Sequence, residues 1–163
     1  MSVSKTLRDG NRVYRVAGIH GLIFDHVTLK KNGKPVNSAC TGDQLIIEME
    51  VKAERSGQFV CAYWIHFFST DGKRVARIES PPDTFNLKEG ENHFVRIDVS
   101  PLLLASGEYL ISFSAFDISS GSAADTLNTR YEMLSRSYHL VVNSGYDSDG
   151  PIFYHPSEWV FEN

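Results

Sequence analysis

Aromatic and hydrogen-bonding side chains alternate along the segment YWIHFFSTDG at residues 63–72. Successive side chains of a β-strand point to opposite faces, so this segment, as a strand running into a turn, has two different faces. One face carries Tyr63, Ile65 and Phe67, and the other carries Trp64, His66 and Phe68. We expect the Tyr63 face to pack in the core. The opposite face then offers two aromatic rings and an imidazole for stacking and hydrogen bonding.

Two later segments alternate in the same way and extend the second face. The segment Glu108–Ile118 is predicted as a strand with Tyr109 inward, and the segment SYHLVV is predicted as another. In an immunoglobulin-like order, these strands lie beside the first one in a single sheet. Rings among small hydrogen-bonding groups suit a sugar, because its C–H face packs on a ring while its hydroxyls need donors and acceptors. The candidate carbohydrate-binding residues are Trp64, His66, Phe68, Ser112, Ser114, Phe116 and His139.

The residues alone do not decide whether this face binds a ligand. An exposed aromatic patch of this extent usually marks a binding site. The alternative is a face that is covered by a loop of the same chain or by a second subunit. Both interpretations stay open at this point.

The motifs of the common enzyme classes are absent from the sequence. It contains no GxxxxGK[ST] phosphate loop, no GxSxG motif and no HExxH motif. The histidines include no pair at ligand spacing, and nothing in the sequence pairs Asp117, Asp125 or Glu132 for acid–base work. We therefore expect a binding module with no catalytic residue, no metal ion and no cofactor. A sugar-acting enzyme is the less favoured alternative.

Composition and charge exclude several classes of partner. The chain has 163 residues, of which 42% are apolar and 22% are charged, and its formal net charge is −4. The longest run of basic residues is Lys30-Lys31, which argues against nucleic acid and against an anionic membrane surface. There is no long apolar stretch and no leader pattern, so a soluble cytoplasmic chain is predicted. Cys40 and Cys61 are expected to be buried free thiols.

The hydrophobic period is two almost throughout, which predicts an all-β fold. About eight strands are separated by turn signals such as Asn32-Gly33 and Asp71-Gly72. We expect a two-sheet antiparallel β-sandwich, immunoglobulin-like, with a jelly-roll-like variant as the other possibility. Residues 1–17 are predicted as an N-terminal tether and residues 18–163 as the single domain. The polar stretch 119–135 is predicted as irregular.

The run GIHGLIFDHVTLKKNGKPVNSACTGDQLIIEMEV resembles the opening of a known domain. This is the carbohydrate-binding C-terminal domain of the nucleotide-binding subunit of O-antigen ABC exporters, of the Wzt type. The matching segments are Ile23–Leu29, Asn32–Val36 and Thr41–Val51, followed later by PLLLASGEY and by Trp159. The resemblance covers roughly residues 18–161, but bulky Tyr63 and Trp64 stand where small residues are usual.

The resemblance implies a function and a set of partners. Such a domain recognises the modified non-reducing end of a lipid-linked O-polysaccharide during lipopolysaccharide biosynthesis and export. The implied partners are the O-polysaccharide, a second copy of the chain, the ATPase domain of the same subunit, which would precede residue 1, and a transmembrane permease. In the implied homodimer the last strand, about 151–161, is exchanged between subunits; the alternative is that this strand closes its own sheet. The protein is then cytoplasmic and peripheral to the inner membrane. The alternative is a structural or protein-binding sandwich whose aromatic face is a subunit interface.

Overall fold

The computed structural model describes residues 2–121, 124–143 and 159–161. Twelve strands and no helix are present in these ranges. The strands are β1 (Ser2–Thr6), β2 (Arg12–Ala17), β3 (Leu22–Lys31), β4 (Lys34–Pro35), β5 (Ser38–Cys40), β6 (Leu45–Ala53), β7 (Gly57–Ser69), β8 (Arg74–Glu79), β9 (Asp83–Leu87), β10 (Asn92–Val99), β11 (Gly107–Asp117) and β12 (Arg130–Asn143).

The strands form two sheets, which confirms the predicted all-β sandwich. The larger sheet has the order β1-β2-β12-β11-β7-β8, and β9 and β5 pair with β7 and β12 at its margins. The smaller sheet has the order β10-β6-β3-β4. Pairing is antiparallel except between β5 and β12. The predicted adjacency of β7, β11 and β12 is therefore present in the larger sheet.

The core lies between the two sheets and follows the predicted alternation. In the smaller sheet, four alternate residues of β6 are each no more than 1% exposed: Leu45, Ile47, Met49 and Val51. They share one hydrophobic cluster with the inward residues of β7 and β11, which are Tyr63, Ile65, Phe67, Tyr109, Ile111 and Phe113. Burying a side chain of this size contributes roughly 1.5–3 kcal/mol. The prediction that the Tyr63 face packs in the core is confirmed.

The N-terminal segment is not a tether in the structure. Residues 2–17 form the hairpin of β1 and β2, and β2 extends the larger sheet through the pairing of Val16 with Met133. Leu7 and Val13 are 4% and 1% exposed, so the hairpin adds to the core. The sequence did not predict this hairpin because polar residues separate the two buried side chains, so no apolar alternation is visible along the segment.

The buried carboxylate of Glu132 connects this hairpin to both sheets. The side chain of Glu132 on β12 is fully buried, and its Oε1 accepts hydrogen bonds from Lys5 Nζ at 2.7 Å and from the backbone N of Phe24 at 2.9 Å. Arg15 Nε lies 2.7 Å from Oε2 as an ionic contact. Because β1, β2 and β3 each contribute one of these partners, Glu132 links the hairpin and the smaller sheet to β12.

Strand β12 begins earlier than the sequence predicts. It starts at Arg130, inside the stretch predicted as irregular, and Tyr131 and Leu134 are buried. The polar residues Ser135 to Ser137 form a bulge within the strand, where Arg136 has a φ of 46°. Polar side chains at a bulge have the composition of a loop, which explains the difference.

Two further expectations concern the cysteines and the last strand. Both cysteines are free; Cys61 is buried, but Cys40 is exposed, which corrects the expectation for that thiol. Burial raises the pKa of the Cys61 thiol to about 12. The predicted strand at 151–161 lies outside the described residues except for 159–161, which form no strand.

The buried carboxylate gives the first prediction. Glu132→Gln is expected to lower the free energy of unfolding by about 3 kcal/mol, because Lys5 and Arg15 lose their counter-charge in a largely buried site. Chemical denaturation of the purified chain measures this difference. The matched control is Glu48→Gln, which breaks a more exposed ion pair with Lys30 and is expected to cost at most about 1 kcal/mol. Equal effects of the two substitutions would contradict this role of Glu132.

Candidate functional site

The candidate site is the outer face of the larger sheet, defined as the side of β7, β8, β11 and β12 that points away from the smaller sheet. The pairing of β7 with β11 places Ser114 opposite Trp64 and Ser112 opposite His66. On its other edge, β7 pairs with β8. The structure therefore brings the predicted residues of β7 and β11 together on one surface.

Four rings form a continuous row along this face. The centroids of Phe116 and Trp64 are 4.9 Å apart with an interplanar angle of 71°, and those of Trp64 and His66 are 6.0 Å apart at 85°. Phe68 continues the row at 6.1 Å from His66. Edge-to-face contacts of this kind fix the rings against one another.

The members of the predicted site differ in exposure. Trp64 and Phe68 are partly exposed, whereas Phe116 is 0% exposed although it lies outside the core cluster between the sheets. Its ring has no free face, so it supports Trp64 from the side instead of extending the platform as predicted. His139 is exposed at the margin of the face, 3.7 Å from the Glu108 carboxylate, and is separated from Phe68 by Leu110.

The two predicted serines and His66 are buried polar groups. Ser112 Oγ accepts a hydrogen bond of 2.7 Å from the backbone N of Arg136, so this hydroxyl positions β12. Ser114 Oγ and His66 Nε2 have no hydrogen-bond partner among the described residues. Buried polar atoms are normally satisfied by protein, water or a ligand. Both atoms are enclosed, so they are unsatisfied polar groups beneath the face and a ligand would reach them only if the side chains over them move.

Three arginines that the sequence analysis missed lie over the rings. The guanidinium carbon of Arg77 is 4.4 Å from the Trp64 centroid, and that of Arg136 is 4.3 Å from the Phe68 centroid. Arg74 lies 5.9 Å from the same Phe68 centroid. Cations within about 6 Å of a ring are attracted by its π face.

The position of one of these arginines, Arg77, could have been predicted from the sequence. The turn at Asp71-Gly72 defines a hairpin, and its register places Arg77 opposite His66 and Glu79 opposite Trp64. Arg77 and Glu79 form an ion pair of 2.5 Å. Arg136 gave no such signal, because it reaches the face only through the bulge in β12.

The environment of His66 favours its neutral form. Burial lowers the pKa of His66, and the positive charges of Arg74 and Arg77 lower it further. Asp125 and Glu79 act in the opposite direction but more weakly. A neutral imidazole can donate a hydrogen bond from one ring nitrogen and accept one at the other.

Two grooves lie along the open sides of the sandwich, away from the ring row. One, of about 530 Å³, runs between β8 and β10, and the other, of about 580 Å³, is lined by parts of β3, β12 and the loop after β1. In the first groove, the Asp83 carboxylate accepts a hydrogen bond from the Tyr63 hydroxyl at 2.9 Å and lies 2.9 Å from His93 Nε2. These three polar groups of the groove therefore satisfy one another.

The carboxylates considered for acid–base chemistry are occupied by neighbours. Asp125 forms an ion pair of 2.6 Å with Arg130, and Asp117 Oδ1 accepts a hydrogen bond from the backbone N of Ser119. Glu132 is the buried anchor of the N-terminal hairpin. These three acids do not form a pair with one another.

Comparison with known proteins gives the family. The Wzt C-terminal domain family matches residues 14–153. The chain belongs to the Wzt C-terminal domain family. The resemblance predicted from the sequence is therefore confirmed, and it supports, at the level of the family, a carbohydrate-binding domain of an O-antigen exporter.

A solved Wzt C-terminal domain has the same fold as this chain. That crystal structure matches with a TM-score of 0.73 and 21% sequence identity, over 91% of this chain and 89% of that chain. An alkylpurine DNA glycosylase from Pseudomonas fluorescens and a β-glucosidase from Erythrobacter marinus match at TM-scores of 0.48 and 0.45, with 11% and 18% identity. These matches cover 77% and 75% of this chain, but only 31% and 15% of those chains.

No curated protein matches the chain in sequence. Across the described ranges, there is also no helix with the length and apolar character needed to cross a bilayer.

The lowered pKa of His66 gives the second prediction. The unfolded chain takes up a proton at this imidazole near its ordinary pKa of 6.5, whereas the folded chain resists protonation until a lower pH. Folding stability from this group is therefore present above pH 6.5 and is lost as the pH falls below it. Denaturant unfolding at about pH 7.5 and about pH 5.5 should show a smaller loss of stability for His66→Gln than for the unsubstituted chain. His139→Gln controls for removal of an imidazole, and identical pH dependence of all three proteins would contradict the assignment.

Proposed function

We propose that the outer face binds the modified non-reducing end of a lipid-linked O-antigen polysaccharide. The chain would then act as the substrate-recognition domain of an ABC exporter. Family membership supports the general role. The observation that supports this particular face is the row of Trp64, His66 and Phe68, in which partly exposed rings flank a buried imidazole that has an unpartnered nitrogen.

The proposed contacts follow from the chemistry of a sugar ring. A pyranose has an apolar C–H face that packs on an aromatic ring, and Trp64 and Phe68 provide two such rings on either side of His66. Its hydroxyl groups need hydrogen-bond partners, and the unpaired groups here are His66 Nε2 and Ser114 Oγ, which are buried and would be reached only if the side chains over them move. His139 is placed to contact a second sugar residue at the margin. Phe116 and Ser112 act beneath the face, by supporting Trp64 and Arg136.

We propose a binding role and not a catalytic one. Glycoside hydrolysis usually requires a pair of carboxyl groups flanking the scissile bond. The candidate acids Asp117, Asp125 and Glu132 are held by the chain's own partners, and Glu132 is completely buried. A polysaccharide bound at the Trp64 row would meet rings and arginines, and the one carboxylate that the pairing places opposite Trp64, that of Glu79, is held in an ion pair by Arg77.

The remaining parts of the proposal concern the assembly. The family supports a place in an ABC exporter with a polysaccharide substrate. We propose that the chain forms a homodimer, with the last strand at about 151–161 exchanged, and works with an ATPase domain of the same subunit and a transmembrane permease. The complex would lie on the cytoplasmic side of the inner membrane.

We also propose that the β1–β2 hairpin belongs to the binding domain, because Leu7 and Val13 pack in its core.

Substitution of the exposed rings gives the third prediction. Trp64→Ala and Phe68→Ala should each weaken binding of the source organism's O-polysaccharide by more than about tenfold, because central aromatic contacts carry a large share of binding energy. The measurement is a titration by isothermal calorimetry. Phe94→Ala is the matched control, since Phe94 is 54% exposed on the smaller sheet and should leave the affinity unchanged.

Three results would separate the alternatives. Unchanged affinity in both ring variants, with the polysaccharide still bound, would move the site away from this face. A Trp64→Ala protein that loses its dimeric state in ultracentrifugation but keeps its affinity would favour a subunit interface. Turnover of an oligosaccharide by the unsubstituted chain would favour an enzyme. The unfolding free energy of each variant is measured in parallel, so that a variant that fails to fold is not mistaken for one that folds but fails to bind.

A further inference from the structure

The arginines on the outer face identify a property of its ligand. We infer that the polysaccharide end bound there carries a negative charge, a carboxylate or a phosphate ester, which Arg74 and Arg136 hold beside Phe68. This inference rests on the proposed function, because it concerns the ligand of the same face. It specifies the chemical class of the ligand, which a row of aromatic rings alone does not.

Arg74 and Arg136 reach one ring from two different strands. Arg74 lies at the start of β8 and Arg136 lies in the bulge of β12, and their guanidinium carbons are 5.9 Å and 4.3 Å from the centroid of Phe68. A hypothetical Cβ on Gly72 would lie 3.8 Å from Arg136 Nη1, which places this guanidinium near the turn that precedes β8. The two cations therefore border a single patch around the Phe68 ring.

These two cations have no carboxylate partner in the described part of the chain. Described residues form thirteen close contacts between basic and acidic side chains, five of them through histidines, and one of them joins Arg77 to Glu79, but none includes Arg74 or Arg136. The chain as a whole has a net charge of −4, so a pair of uncompensated arginines on one ring is not a consequence of a basic surface. A guanidinium group matches the oxygens of a carboxylate or a phosphate, which accept two parallel hydrogen bonds from it.

The backbone at Arg136 is held in an unusual conformation that directs this side chain to the face. Its φ of 46° lies in the left-handed region, and the other non-glycine residue of the described chain with a positive φ, Asn32, is in a hairpin turn where this value is expected. The hydroxyl of Ser112, 3% exposed, accepts the Arg136 backbone N–H and stabilises the bulge. Strained residues are often found at binding sites, and here the strained residue carries one of the two cations.

A third group on the face completes the site. His66 is 7% exposed and lies between Trp64 and Phe68, and its Nε2 has no partner among the described residues. Once a ligand displaces the side chains that cover it, a neutral ring nitrogen can donate a hydrogen bond to an anionic oxygen without adding a further positive charge. The patch thus combines a ring for the sugar and two cations for the charge, with a buried imidazole beside the ring.

The first arm of the test changes the ligand. The source organism's O-polysaccharide is titrated into the chain untreated, after removal of phosphate esters with hydrofluoric acid, and after reduction of its carboxylates to alcohols. One of the two treatments should lower the affinity about tenfold or more, and the effective treatment identifies the charged group. Binding of the untreated polymer should also weaken with added salt, whereas binding of the neutralised polymer should not.

The second arm changes the protein. Arg74→Gln and Arg136→Gln should each weaken binding of the untreated polymer about tenfold and leave binding of the neutralised polymer unchanged. The control is Arg96→Gln on the exposed side of β10 in the smaller sheet, which should have no effect. If the polymer binds but neither treatment nor either variant alters its affinity, the inference of a charged ligand is wrong and the proposed function stands. If the untreated polymer does not bind at all, the proposed function fails, and the inference fails with it.

Discussion

Hydrogen bonding along both edges of β7 is the constraint on which the rest of the structure depends. The strand is thirteen residues long; β11 pairs with it on one side, and β9 and then β8 pair with it on the other. A strand bonded on both sides cannot rotate, so its two faces are fixed by the period of two. Ile65 is committed to the core and Trp64 to the outer face. A register slip of one residue would exchange these faces, which couples correct folding to the presence of the candidate site.

The outer face has a buried layer of its own beneath the groups that a ligand would touch. Phe116 is fully enclosed and contacts Trp64 edge to face, and Ser112 holds the backbone of Arg136. Side chains that are locked in place before binding lose less conformational entropy when a ligand arrives. Phe116 and Ser112 of β11 therefore contribute to recognition by orienting Trp64 and Arg136, although the sequence pattern makes them look like direct contacts.

Alternation along the strands was sufficient to predict the sandwich and the inward residues of β6, β7 and β11, and an immunoglobulin-like order placed β11 beside β7, whereas the pairing of β9 with β7 was not predicted. Features that break the alternation were not predictable. The N-terminal hairpin buries Leu7 and Val13 among polar residues, and its anchor, Glu132, is a charged residue at an inward position. The bulge of β12 has the composition of a loop. The burial of Phe116 was also inaccessible to sequence reasoning, because alternation assigns a side chain to a face and says nothing about how fully that face is covered.

Arg74 and Arg136 form a local positive charge on a chain whose net charge is negative. This local charge provides a way to distinguish the end of a polymer from its interior. A neutral sugar within the polymer can pack on Trp64 or Phe68, but it offers Arg74 and Arg136 only neutral acceptors. A single charged group at the end would add hydrogen bonds to charged partners, which contribute roughly 1.5–3 kcal/mol each and correspond to about tenfold to a hundredfold in affinity. The net charge of −4 disfavours the same group elsewhere on the surface. Under the proposed function, stacking would thus supply general affinity for the polysaccharide, and the two arginines would supply selectivity for its end.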